Sequence, residues 1–142
     1  MNRNWFNAPP GNSAGGLDIV RISVALILMV HGVHGLLNPK AITGFGEYLG
    51  SIGFPLGVAL AYSIMVFQIA FSAALIFRRL VVPACIGHII ILSIGIYLIH
   101  APQGWFVVGP GTGGMEYSVI LIACLFAVLW AYWPRQQSIP GA

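Results

Sequence analysis

Charge is scarce in this sequence. Three of 142 residues are acidic (Asp18, Glu47 and Glu116) and six are basic, so charged residues make up 6% of a chain that is 58% hydrophobic. A soluble domain needs more polar surface than that. A nucleic-acid binder needs a clustered basic face, which a formal net charge of +3 from scattered cations does not supply. Cysteine is almost as rare. Cys85 and Cys124 form neither a Cys-x-x-Cys pair for thiol exchange nor a Cys-x-x-Cys-His for covalent haem. Their places in two helices differ in height by about 10 Å, so no disulfide is expected. There is no phosphate-binding loop, no Rossmann glycine fingerprint and no Ser/His/Asp set. Nothing therefore marks a self-contained enzyme, and any redox chemistry has to come from a bound cofactor or a partner subunit.

What the sequence does have is long apolar runs. Four of them approach the roughly 20 residues needed to cross a hydrocarbon core about 30 Å thick. They are "LDIVRISVALILMVHGVHGLL" from Leu17, "PLGVALAYSIMVFQIAFSAALIF" from Pro55, "LVVPACIGHIIILSIGIYLIH" from Leu80 and "EYSVILIACLFAVLWAYW" from Glu116. Pro39, Pro55, Pro102 and Pro134 punctuate the ends of the runs, and Pro83 falls in the first turn of the third, where its missing N–H does little harm. The expected fold is an all-α, four-transmembrane-helix bundle in the lipid bilayer. Residues 1–16 read as a Gly/Pro-rich flexible tail in which Trp5 and Phe6 touch the interface, 17–134 as one membrane domain, and 135–142 as a C-terminal tail. The first run has no small-residue cleavage site and is expected to stay as a helix.

Arg3, Arg78, Arg79 and Arg135 share one side of this topology, with only Lys40 opposite, so the positive-inside bias places both termini in the cytoplasm. Each outward loop is expected to carry a short interfacial or re-entrant segment. In the first, "ITGFGEYLG" sets Phe45, Tyr48 and Leu49 on one side, as a surface-lying piece or a lid, with Glu47 facing inward or into water. In the second, the glycines of "VVGPGTGG" suit a pliable turn better than an anion-binding nest.

Topology gives each polar residue a depth. His31, His34, His100, Glu116 and Glu47 form an outer layer, and Gln68 and His88 a deeper pair. His31 and His34 lie about 60° apart around their helix. Small residues mark where membrane helices approach closely. Gln68 shares a stripe with Ala61 and Ser72, His88 with Ala84 and Gly95, Glu116 with Ala123 and Ala127, and His31 flanks Ala25, Gly32 and Gly35. These faces are expected to turn inward and bring the histidines and Glu116 to one outer cavity. Structural readings stand beside the functional ones: Gln68 and His88 bonding each other, Glu116 capping a helix start, and His100 capping carbonyls at a helix end.

"LIHAPQGWFVVGPGTGGMEYSVILI" resembles the signature of the DoxX family: a His-x-Pro-x-Gly segment, an aromatic pair and a Gly-Gly-x-Glu-Tyr opening the last helix. "RISVALILMVHGVHGLLNP" is similar to that family's first helix, with its early Arg and its His-Gly near the outer end, and the resemblance runs from about Leu17 to Pro134. It implies a multi-pass protein of the bacterial inner membrane, with some relatives serving as membrane subunits of quinone-linked oxidoreductases and others tied to thiol and oxidative-stress complexes. Two positions depart from the family pattern: Gly35, with His34 beside it, where many relatives carry Lys, and Gln68 where they often carry Glu. Gln cannot titrate, which argues against a proton path through the second run.

The leading expectation is the membrane subunit of a redox complex holding a quinone head group. His31, His100 and Glu116 would handle protons, and His34, His88, Gln68, Trp105, Phe106 and Tyr117 would line the cofactor site, with no residue assigned to a metal. A partner subunit or a second copy of the chain would complete it. Haem b between His31 and His88, or a metal on His31, His34 and Glu116, is the alternative. A third reading is a non-enzymatic assembly factor or small-solute carrier, which would need to oligomerise.

Overall fold

A computed structural model describes residues 12–134. Arg3, Trp5, Phe6, Arg135 and most of both expected tails lie outside the described residues. Helix α1 (Ser13–Leu37) starts ahead of the expected Leu17 because Asn12 caps it, its Oδ1 accepting the Gly15 N–H at 2.8 Å. Helix α2 (Pro39–Ser51) opens on the conformationally preset Pro39. Helices α3 (Gly57–Ile76) and α4 (Val81–Gly95) follow, α4 running on through a π turn at Ile96–His100 and a 3-10 turn at Ala101–Gln103. Helix α5 is Glu116–Tyr132. Ser13–Leu37, Gly57–Ile76 and Val81–Gln103 are long and apolar enough to cross a membrane, and α5 is a shorter apolar helix.

The four apolar runs close into a ring: α1 packs on α3, α3 on α4, α4 on α5, and α5 back on α1, while α2 lies outside against α3. The start of α1 meets the ends of α3 and α5, where Asp18 pairs with Arg78 and Tyr132 lies beside it. A larger core joins Val24, Ala25, Leu28, Leu75, Ala84, Cys85, Leu121 and Leu125, and a smaller one fastens Ile42 and Leu49 of α2 to Ala61 and Met65 of α3. Ile19, Val30, Phe67, Ile90 and Trp130 face outward, an apolar surface suited to lipid contact. Both cysteines are free thiols.

Small residues set the α1–α3 spacing, as the stripe on α1 implied. A Cβ on Gly32 would stand 3.0 Å from the Met65 carbonyl oxygen. On α3 the inward stripe is Ala61, Met65, Gln68, Ser72 and Leu75, and on α4 Ala84 and His88 are buried, with Gly95 half-buried and open. The face expected for α5 is wrong. Ala123 and Ala127 are exposed, and the buried positions are Ser118, Leu121, Leu125 and Val128. Here the helix fills the core with leucine volume, and the close backbone approach is made by Gly114 just before it.

The connection from α3 to α4 is short because α3 stops in a Schellman motif. Arg79 N–H donates to Ala74 O at 2.8 Å and Arg78 N–H to Leu75 O at 3.3 Å, with Arg78 left-handed at φ 54°. Glycine usually fills that position, and a side chain there costs about 1–2 kcal/mol. Helix α2 ends the same way on a true glycine, Gly53 at φ 97°, with Phe54 N–H on Leu49 O at 3.0 Å.

Candidate functional site

Pro102 organises the end of the bundle opposite the start of α1 and the end of α5. In an α-helix residue 102 would donate to the carbonyl of Leu98, and proline has no N–H to give. The ladder widens into the π turn, with Ala101 N–H reaching back to Ile96 O, and the hydroxyl of Tyr48 on α2 donates to Leu98 O at 3.0 Å. A π turn inside a helix often marks a functional segment. Between the two elements lies an open groove of about 410 Å³ lined by Phe45, Tyr48, Leu98, Ile99, Pro102 and Gln103. A second groove, of about 370 Å³, runs along the polar side of α2 past Pro39, Lys40, Thr43, Gly44 and Glu47.

The loop from Gly104 to Met115 is folded back on itself. Met115 N–H donates to Gly104 O at 3.1 Å, Glu116 N–H to Trp105 O at 3.0 Å and Gly114 N–H to Phe106 O at 3.1 Å. Gly114 is required by this approach, since a Cβ there would meet Trp105 and Phe106 backbone at 2.5 Å. Two of the predicted site residues clasp the same loop. Glu116 accepts the Val107 N–H at 2.9 Å, and His100 Nδ1 donates to Gly113 O at 2.8 Å. A carbonyl only accepts, so Nδ1 carries a proton, and Nε2 takes no part in that bond. Trp105, Phe106 and Tyr117 stand exposed around the loop.

His31 and His34 lie on the exposed side of α1, near His100. The Asn38 amide donates to the His34 carbonyl at 2.7 Å and lies 3.3 Å from its ring. His31, His34, His100 and Glu116 thus share one end of the bundle, but the two grooves there are lined by other residues. Glu47 is exposed beside the second groove.

The deeper pair sits apart from this end. His88 is fully buried, its Nε2 3.3 Å from the hydroxyl of Ser72 and its ring edge-on to Phe71 at 5.9 Å. Gln68, one turn from Ser72, is 3% exposed and does not bond His88. A porphyrin between His31 and His88 would need a gap that exposes both rings. His88 is instead enclosed by packed side chains while His31 faces outward, so these residues do not fit a bis-histidine haem. Among the described residues no group of three or more His, Cys, Asp or Glu is placed to hold a metal ion.

Sequence reasoning gave Arg21 no role of its own, although a lone arginine within an apolar run is the signal to look for. It is 3% exposed and reaches from α1 to the last carbonyls of α3, donating to Leu75 O and, at 3.1 Å, to Ile76 O, while its Nη2 pairs with Asp18 at 3.2 Å. Asp18 also takes Arg78, and the hydrogen bond to that carboxylate raises the Arg78 pKa above its ordinary value. Tyr48 and Ser72 had likewise been seen only as an amphipathic face and a small-residue stripe.

Apolar helices in a closed ring, with polar side chains spent on carbonyls inside it, define a multi-pass helical membrane protein. The family model for DoxX matches residues 16–101, more than half of the chain, and the chain belongs to the DoxX family. That match takes in α1 to the π turn of α4 and stops before the clasped loop and α5. No curated protein and no solved structure matches the chain.

Proposed function

We propose that this protein is the membrane subunit of a quinone-linked redox complex of the bacterial inner membrane, with its termini cytoplasmic and its groove between α2 and the end of α4 holding the quinone head group. The observation that carries the reading is the groove itself. At about 410 Å³ it falls in the size range of small-molecule sites, and its walls are apolar except for Tyr48 and Gln103. Phe45, Leu98, Ile99 and Pro102 would hold a ring, and the Gln103 amide would hold an oxygen. His100, between groove residues Ile99 and Pro102 in the chain, keeps its ring fixed through Nδ1 and leaves Nε2 to take up or give back a proton. A bound quinone would supply two-electron, two-proton carrier chemistry. Glu116 then serves as a positioning residue, because its carboxylate is occupied by the loop. A partner subunit, or a second copy of the chain, would bring the electrons.

The test is titration of the detergent-purified protein with a short-chain ubiquinone, read by quenching of tryptophan fluorescence, alongside extraction of native quinone. Saturable binding that weakens about tenfold in Gln103→Leu and in His100→Ala supports the reading. A Soret band or stoichiometric metal lost in His31→Ala would replace it with a cofactor-ligand role. One observation favours a second reading: both signature side chains, His100 and Glu116, are used on loop backbone. Protein that binds no quinone at all would leave the scaffold or assembly role.

A further inference from the structure

Two buried polar atoms in the middle of the bundle have no partner: Oε1 of Gln68 and Nδ1 of His88. Both side chains are at most 3% exposed, and Ser72, one turn from Gln68 on α3, is hydrogen-bonded to His88 Nε2 across to α4. Leaving such atoms unmet costs about 1–3 kcal/mol apiece, and the hydrocarbon around the bundle offers nothing to meet them. The position is also not a helix end, so no loose backbone group is available nearby.

We infer that an internal water molecule is bound at this point, bridging Gln68 Oε1 and His88 Nδ1 and linking α3 to α4 at mid-depth. The donor pattern selects water. The Gln68 oxygen accepts only, so the ligand must donate. His88 Nδ1 accepts or donates according to the tautomer, and the Ser72 hydroxyl at Nε2 suits either, so the ligand that fits both cases is one able to do either. Water meets both demands and is the smallest species that does, in keeping with buried waters that typically make about three hydrogen bonds to otherwise unmet groups. An anion cannot donate to the amide oxygen, and a metal cation cannot receive the N–H of an Nδ1-protonated ring, whereas water serves either tautomer. Phe71, edge-on to the imidazole, closes one side of the site. This site is independent of the quinone groove, which none of its residues line.

The experiment is water-edited solid-state NMR on full-length protein in liposomes, with ¹⁵N-labelled histidine and the His88 signals identified by their loss in His88→Gln. His34, exposed near the end of α1, is the internal reference. The site predicts early magnetisation transfer from water to the His88 ring, at about half the His34 rate or more, and a drop of at least about twofold in Gln68→Leu, which removes one anchor. Absence of transfer to His88 at mixing times that saturate His34 overturns the inference, and the wild-type protein alone decides that point. Transfer unchanged in a folded Gln68→Leu overturns the bridging role of Gln68.

Discussion

Replacing Gly57 by alanine tests how α2 is held, and with it the groove. Gly57 opens α3 where α2 crosses, and an added Cβ would overlap the Gly46 carbonyl oxygen and stand 2.7 Å from Gly50 N. These are backbone atoms, so no side chain can swing aside. Helix α2 must retreat by roughly an ångström, at a cost of about 1–3 kcal/mol by analogy with overpacked cores. Gly44, in the middle of the same α2, has nothing within 4 Å of its Cβ position. Gly44→Ala is therefore expected to be neutral or stabilising by up to about 1 kcal/mol, the helix-propensity gain. Thermal unfolding in detergent can be followed with a thiol-reactive dye in a Cys124→Ala background, because Cys85 is fully buried until the bundle opens. Gly57→Ala should melt below wild type and Gly44→Ala at or above it. The retreat would also pull Tyr48 from the Leu98 carbonyl and weaken the proposed quinone binding in the first variant only. A Gly57→Ala protein that melts with the wild type would refute the backbone-to-backbone packing of α2 on α3.

Arg21→Met strips the guanidinium from the last carbonyls of α3 and should destabilise by about 2–4 kcal/mol in the same melt, with Arg21→Lys recovering only part because one ammonium cannot serve two carbonyls and a carboxylate in that geometry. Tyr48→Phe leaves the Leu98 carbonyl without its donor and should cost about 1 kcal/mol. In Glu116→Ala the Val107 amide loses its acceptor, and its hydrogen exchange, read by mass spectrometry, should quicken by about tenfold while the helix interiors stay protected.

The helices were legible because their signals are strong: apolar runs of spanning length, bounded by prolines. The amphipathic character of the first loop was legible too, though its extent was not. Phe45 and Leu49 pointed to an amphipathic segment, and the full helix from Pro39 buries Ile42, Gly46 and Leu49 at one-turn and two-turn spacing. Facing was harder. In water an apolar stripe tells a helix which way to turn, but in lipid both core and surroundings are apolar, and periodicity carries little information. Small residues substitute for it where backbones meet, as at Gly32 against Met65. They mislead on α5, where leucines fill the core and the alanines face out.

The roles of the rare polar residues follow from where the helices break. A break frees backbone groups that hydrocarbon cannot satisfy, so a side chain must. Arg21 attends the end of α3, Tyr48 the carbonyl that Pro102 leaves free, and His100 and Glu116 the loop after it. Such contacts join residues far apart in sequence, from 9 to 55 positions, and no local motif announces them. Polar groups away from breaks have no such duty. His31, Gln68 and His88 sit within regular helix, where a polar group in hydrocarbon is costly unless it meets a partner such as a ligand, a proton or a water. His100 belongs to both groups, since one ring nitrogen is spent on the loop and the other is not. A variant that keeps the Nδ1 bond but removes Nε2, such as His100→Asn, should therefore preserve the clasped loop while abolishing proton uptake, and separating those two effects distinguishes the redox reading from the scaffold.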